Sequence, residues 1–283
     1  MTPTDIISKV KNLPPVSQAA LKLVSLLEQA SISNEEVVHA IKCDSVLTAK
    51  LLRACNSPYF GLAEPVASVD QAVFILGHQQ ILHIVLTLAF GSTMIVTAPA
   101  YAAEANALWQ HSLVTATAAE IVAAEAYDLK IEGPIAFTVG LLHDIGKLAM
   151  SQALTPEQQA QIRERIVTEK ISRTAAEKLI LGTDHGEVGA CLLKSWRLPA
   201  EVIEAVACHH KPTLVPEPKL SAVTHIANCL AHLASPMANE DATAGQVDPE
   251  VAAALNFDAG RLEGMVNTVR EASDTVNQFM AMT

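Results

Sequence analysis

Ten histidines are spread along the chain, and four stretches set some of them among residues that suit metal chemistry. His111 lies in Trp109-Gln110-His111-Ser112. His143 and Asp144 sit inside Gly140-Leu141-Leu142-His143-Asp144-Ile145-Gly146-Lys147. His185 lies in Asp184-His185-Gly186-Glu187, and His209-His210 form a pair. Neutral imidazole and carboxylate together suit Fe, Mn, Ni or Zn, whereas Ca and Mg alone favour oxygen ligands. A carboxylate such as Asp144 is able to bridge two ions. Each ion lowers the pKa of a shared water, which yields hydroxide near neutral pH. Lys147 follows His143 by one helical turn, where it would face the same cavity and hold an anionic substrate.

Each of these residues also has a plainer reading. His39, His78, His83 and His232 read as ordinary core or surface histidines of helices. A charged Asp144 in the middle of an apolar helix is costly unless it is paired or bound to metal. Its alternative role is an Asp–His pair that only holds helices together. The alternative for His209-His210 is a helix C-terminus, where imidazolium is favoured by the helix dipole.

The elements that position these groups read as helices throughout. Ser33-Asn34-Glu35-Glu36, Ser68-Val69-Asp70-Gln71 and Thr174-Ala175-Ala176-Glu177 each have the pattern of a capping box. Gly182 is a stop for the third helix. Leu13-Pro14-Pro15 is a rigid lead-in to a helix carrying Leu21, Leu23, Val24, Leu26 and Leu27. A helix from about 45 ends near Asn56-Ser57-Pro58, with Gly61 in the following loop. Tyr59 and Phe60 in that loop are expected to be exposed, as a partner-binding spot or as packing against the next helix. Further helices are expected at 101–127, up to about 150 after Gly133-Pro134, from 156, then at 187–196, 199–208, 219–233 and 259–280. Residues 236–249 read as a polar loop. Three- and four-residue apolar steps dominate, and no repeat of solenoid length is present.

Composition narrows the function classes. The chain has 283 residues, 50% hydrophobic and 17% charged. That is enough for a sizeable core and too apolar for a disordered chain. A net charge of −11 with no Lys/Arg run argues against direct nucleic-acid binding through phosphates. Aromatics at 4% argue against a base-stacking platform. The cysteines Cys43, Cys55, Cys191, Cys208 and Cys229 show no metal-ligand spacing and read as reduced, mostly buried thiols. The first residues lack the pattern of a signal peptide. Residues 81–98 carry no Asp, Glu, Lys or Arg, but polar residues interrupt them and no basic or aromatic flank frames them. They read as a core helix. No membrane association is expected, and the expected location is the cytoplasm.

The order His111, His143-Asp144-Ile145-Gly146-Lys147, His185 with Gly189, then His209-His210 resembles the HD phosphohydrolase superfamily, and its HD-GYP branch in particular. That resemblance implies a further aspartate in an apolar helix. The matching stretch is Thr224-His225-Ile226-Ala227-Asn228, with Asn228 where Asp would stand. The N-terminal half is similar to the HDOD family. Leu13-Pro14-Pro15, Lys42-Cys43-Asp44-Ser45-Val46-Leu47-Thr48-Ala49-Lys50-Leu51-Leu52-Arg53, Asn56-Ser57-Pro58-Tyr59-Phe60-Gly61 and Ala72-Val73-Phe74-Ile75-Leu76-Gly77 carry this similarity.

The two resemblances together imply an all-α, HD-domain-like multi-helix bundle with at least ten helices. An N-terminal helical HDOD subdomain would cover 1–98 and an HD-like subdomain 99–283. They imply one metal position built from His111, His143 and Asp144, weakened because Asn228 removes an anionic ligand. A second position would use Asp144, His185, His209 and His210. The cofactor is expected to be a divalent transition metal, one or two ions of Fe, Mn, Ni or Zn. His209-His210-Lys211-Pro212 lacks the Glu and the Gly-Tyr-Pro loop of cyclic-dinucleotide phosphodiesterases, which argues against that substrate. The family reading is a bacterial signal-transduction output or adaptor module that binds protein partners. Two alternatives remain open. One is a metal-dependent phosphohydrolase of a nucleotide or other phosphoester, with Asp144 and Lys147 as its catalytic residues. The other is a di-iron redox or oxygen-sensing site.

Overall fold

The computed structural model of the chain describes residues 1–10, 16–27, 33–95, 102–214, 219–234 and 243–280. Leu13-Pro14-Pro15 and the first half of the expected polar loop at 236–249 lie outside them. Among the described residues the regular structure is helical, with no strand. The helices are α1 (Pro3–Lys9), α2 (Gln18–Leu26), α3 (Asn34–Lys42), α4 (Ser45–Cys55), α5 (Val69–Leu76) and α6 (His78–Ile95). They continue with α7 (Ala102–Glu125), α8 (Gly133–Leu142), α9 (Ile145–Ala153), α10 (Pro156–Glu169), α11 (Arg173–Leu181) and α12 (His185–Ser195). The last are α13 (Ala200–Cys208), α14 (Lys219–Ala234), α15 (Pro249–Ala254) and α16 (Ala259–Met280).

Local chemistry fixes most of the helix starts. Ser33 and Glu36 form the expected reciprocal box at α3. Ser68 accepts the Gln71 amide at α5, but Gln71 Oε1 accepts from Ala67 N and not from the cap itself. Asp44 caps α4 by accepting from Leu47 N at 3.0 Å, and Ser17 Oγ donates to its other oxygen at 2.5 Å. α1 was not expected. Its Thr2 and Asp5 form a capping box around a proline in the first turn, a device short enough to act in seven residues.

Three local expectations are corrected. The box expected at Thr174–Glu177 is replaced by Ser172, whose hydroxyl accepts from Ala175 N. Glu177 turns inward and is buried. The single helix expected through His143 and Asp144 is broken there. α8 ends at Leu142, with His143 at its C-cap, and Asp144 is the N-cap of α9. Tyr59 and Phe60 are half-buried and pack edge-to-face at 4.8 Å. The exposed aromatic nearby is Phe74, at 89%. Of the five free cysteines, Cys55 and Cys229 are buried, Cys191 and Cys208 half-buried and Cys43 exposed.

The core explains why α8 lies centrally. It is apolar all round and every residue from Pro134 to Leu142 is buried, as expected for a helix with neighbours on each side. One hydrophobic cluster runs continuously from Ile6 through α2–α9 to Val206. A second fills the space between α7, α14, α15 and α16, with Val114, Val122, Ile226, Leu230, Phe257 and Val269. The expected division at 98/99 falls outside the described residues. α1 packs against α9 and α12, so the start of the chain rests on helices from its later part. Among the described residues no helix is long and apolar enough to cross a membrane.

Candidate metal centre

Backbone contact brings the histidine-bearing helices together. A Cβ at Gly146 would stand 1.9 Å from the His185 carbonyl and 2.7 Å from Gly189 N. Only glycine therefore lets α9 cross α12 this closely, and the crossing lies beside Asp144 and His185. A Cβ at Gly140 would stand 2.7 Å from the Ala116 Cα, which seats α8 directly on α7 and its His111.

The structure gathers His111, His143, Asp144, His185, His209, His210 and Asn228 into one buried cluster. Ligand atoms of Asp144, His185, His209 and His210 lie within 4.8 Å of one another, and so do those of His111, His143 and Asp144. Asp144 stands between the sets. Its Oδ1 is 3.2 Å from His185 Nε2 and 4.0 Å from His209 Nε2. Its Oδ2 is 3.3 Å from His143 Nε2 and 3.8 Å from His111 Nε2.

The outer face of each ring determines what its inner face offers. His143 Nδ1 donates to the Gly140 carbonyl at 2.7 Å, and His209 Nδ1 to the Val206 carbonyl at 2.7 Å. His185 Nδ1 donates to Glu177 Oε2, also at 2.7 Å. With Nδ1 carrying the proton, Nε2 of a neutral ring presents a lone pair to the cluster. His143 Nε2, His209 Nε2 and Asp144 Oδ1 are buried and have no hydrogen-bond partner. Three unpartnered acceptors converging in a sealed site are costly unless something electropositive lies between them. The donor set of imidazoles and one carboxylate fits a transition metal.

Burial holds His111, His209 and His210 well below the usual histidine range, so they are neutral at pH 7. Burial also pulls His185 down, but Glu177 beside its Nδ1 and Asp144 beside its Nε2 outweigh that and raise it to about 9. Burial alone would raise Asp144. The neighbouring His143 ring and Lys147 ammonium reverse this and hold it well below the usual carboxylate range. Lys147 Nζ donates to Asp144 Oδ2 at 2.6 Å, and its side chain is 25% exposed, so it links the cluster to the surface.

Matches to known proteins agree with this architecture. The HDOD domain family matches residues 13–212. The chain belongs to the HDOD domain family. An HDOD domain protein of unknown function from Geobacter sulfurreducens is 25% identical, with a TM-score of 0.72 over 97% of this chain and 96% of that one. A candidate signal-transduction protein from Marinobacter aquaeolei VT8 shares the fold at 21% identity, with a TM-score of 0.77 over 100% of this chain and 61% of its own. A candidate phosphohydrolase from Shewanella amazonensis SB2B shares it at 22% identity and TM-score 0.70, over 99% and 98%. An uncharacterised protein from Treponema pallidum (strain Nichols) is 24% identical over 212 residues, 75% of this chain. The chain spans 40% of that relative's length.

The HDOD cluster includes residues that sequence reasoning passed over. Glu177 reads from sequence as part of a helix cap, yet it accepts from both the ring and the backbone N of His185. His232 reads from sequence as an ordinary helical histidine. Its ring stacks on His111 at 4.3 Å, and its place one turn after Asn228 on α14 was the available signal. His225 donates from Nδ1 to the His209 carbonyl at 3.0 Å and accepts from Asp248 N at 3.2 Å, which anchors the end of α13 to α14. His39, His78 and His83 lie outside the cluster. His83 pairs with Glu120 at 2.9 Å and stacks on Phe137.

Proposed function

We propose that this HDOD protein is a signal-transduction output or adaptor module that acts through protein partners and holds a divalent transition metal in its His/Asp cluster. The metal, Fe, Mn, Ni or Zn, would brace the junction of α7, α8, α9, α12 and α13 or report on metal and redox state. The observation that carries the reading is the convergence of the unpartnered acceptors His143 Nε2, His209 Nε2 and Asp144 Oδ1 inside a buried site. The cluster lies deep, with Asp144 at 1% side-chain exposure, which favours a bracing ion over an open catalytic one. The likeness in fold to a candidate signal-transduction protein supports the same reading.

A second reading is a metal-dependent phosphohydrolase of a nucleotide or other phosphoester. Lys147 favours it, because a partly exposed ammonium at the edge of a metal cluster suits a phosphate. A bound metal would supply Lewis acidity and a water of lowered pKa. Lys147 would hold the phosphate, and Asp144 would hold the metal.

The test is elemental analysis of protein purified without a metal-affinity column, beside Asp144→Ala. Metal retained by the protein and lost in the variant supports the reading. Its absence from a folded protein removes both metal readings and leaves the scaffold role. Phosphoester turnover that vanishes in Asp144→Ala would favour the enzyme. A yellow or red protein would favour the di-iron sensor.

A further inference from the structure

We infer that the cluster takes one divalent ion, held by Asp144 Oδ1, His185, His209 and His210, while Lys147 and Asn228 occupy the place of a second. The inference rests on the metal reading above and narrows it to a stoichiometry and a position.

The two oxygens of Asp144 are not equivalent. Oδ1 has no hydrogen-bond partner, whereas Oδ2 accepts from Lys147 Nζ at 2.6 Å. A carboxylate that bridges two cations must offer a lone pair from each oxygen. An ammonium already seated on Oδ2 repels a metal approaching that same oxygen, and in a buried site the repulsion is poorly screened. Lys147 thus supplies a fixed positive charge where a second ion would stand.

His111 is engaged in the same way. Its Nε2 lies 2.9 Å from Asn228 Oδ1, with Thr115 Oγ1 at 3.4 Å. An amide oxygen only accepts, so in this orientation His111 Nε2 carries a proton and has no lone pair to offer. With the amide turned over, its NH2 donates to that nitrogen and fills the lone pair. Either way His111 is withdrawn from coordination. On that side only His143 Nε2 remains free, and one imidazole does not hold a dication.

The opposite side offers the fuller ligand set. Asp144 Oδ1 and His209 Nε2 are unpartnered, and Glu177 orients His185 from behind. His185 Nε2 and His210 Nε2 share a hydrogen bond at 2.8 Å, and its proton is one that metal binding would release, because both nitrogens belong to the same ligand set. Charge points the same way. The carboxylates Asp144 and Glu177 match one dication, whereas a second would have to share Asp144 Oδ2 with the Lys147 ammonium and would bring no further carboxylate, because Asn228 is neutral.

The test loads chelator-stripped protein with Zn(II), then with Co(II), and counts ions per chain by elemental analysis and calorimetry. Far-UV circular dichroism confirms folding. One ion in the unaltered protein, one in His111→Ala, and affinity about 100-fold or more weaker in His209→Ala are expected. His210→Gln gives the same reading if His209→Ala fails to fold. The double variant Lys147→Met/Asn228→Asp should take two ions. Two ions in the unaltered protein would overturn the inference and leave the metal reading intact. So would loss of the ion in His111→Ala with retention in His209→Ala. A double variant that still takes one ion would overturn the role given to Lys147 and Asn228. No ion in the unaltered protein would remove the metal reading, and this inference with it.

Discussion

Glu177 Oε2 accepts twice from His185, from the backbone N at 2.9 Å and from ring Nδ1 at 2.7 Å. A single buried oxygen therefore fixes both the start of α12 and the direction of the imidazole. Groups behind a metal-binding histidine commonly set its affinity. Glu177→Gln is expected to weaken metal binding by about 10- to 100-fold with the helical content retained. Competition against a chromophoric chelator measures it. Unchanged affinity would reduce Glu177 to a tie between α11 and α12.

The crossing at Gly146 makes a matched pair of glycine variants informative. Gly146→Ala would drive a methyl group into the His185 carbonyl, and the obstacle is backbone that cannot rotate away. A loss of about 3 kcal/mol is expected from such overpacking, with metal binding lost as well. Gly264 in α16 has nothing within 4 Å of an added Cβ. Gly264→Ala should stabilise the protein by roughly 0.4–1 kcal/mol through the unfolded chain. Urea midpoints of the two variants decide it, and similar effects at both positions would contradict the close approach.

Two phenylalanines separate core from surface. Phe90 is fully buried and Phe74 is 89% exposed. Phe90→Ala should cost about 3–5 kcal/mol. Phe74→Ala should change stability by no more than about 0.5 kcal/mol. Thermal unfolding of both variants checks the placement, and a large loss at Phe74 would contradict it.

Asp44 gives a pH dependence of known sign. Hydrogen bonds from Ser17 and from backbone N–H groups of α4 lower its pKa below the ordinary 3.8. A carboxylate depressed in the folded state stabilises above its unfolded pKa, and that contribution fades as pH falls through the folded value. Asp44→Ala should therefore cost about 1 kcal/mol at pH 7, the usual loss of an N-cap. The difference from the unaltered protein should shrink progressively below pH 3.8. Denaturant unfolding at pH 7 and in steps below pH 4 measures this, and a gap constant with pH would sink it.

The helical class was legible because apolar steps, caps and the Gly182 stop agree along most of the chain. The histidines were legible as a set because residue type and order survive in the sequence, while the distances between them do not. Glu177 was not legible. Thr174-Ala175-Ala176-Glu177 satisfies a capping pattern, and only the third dimension shows Ser172 taking the cap and freeing Glu177 for His185. The break at His143–Asp144 was hidden for a similar reason. Apolar residues continue on both sides with no proline to mark it, and the bonds that accompany it, His143 Nδ1 to the Gly140 carbonyl and Lys147 Nζ to Asp144 Oδ2, are made by side chains. Tyr59 and Phe60 read as exposed in their loop, with packing against the next helix as the alternative, because local sequence does not tell which ring a neighbouring helix will cover.

The docking of α1 on α9 and α12 has a consequence for the order of assembly. Ile6 is fully buried, yet the helices that bury it are synthesised much later. At about 5–20 residues per second, the ribosome needs on the order of ten to forty seconds to travel from α1 to the end of α12. Through that interval α1 lacks at least part of the surface that it rests on. The loop that it finally closes is long, though closure entropy grows only slowly with loop length. Helix α1 is thus made before the helices that it rests on, and it reaches its native place only with the helix that carries His185.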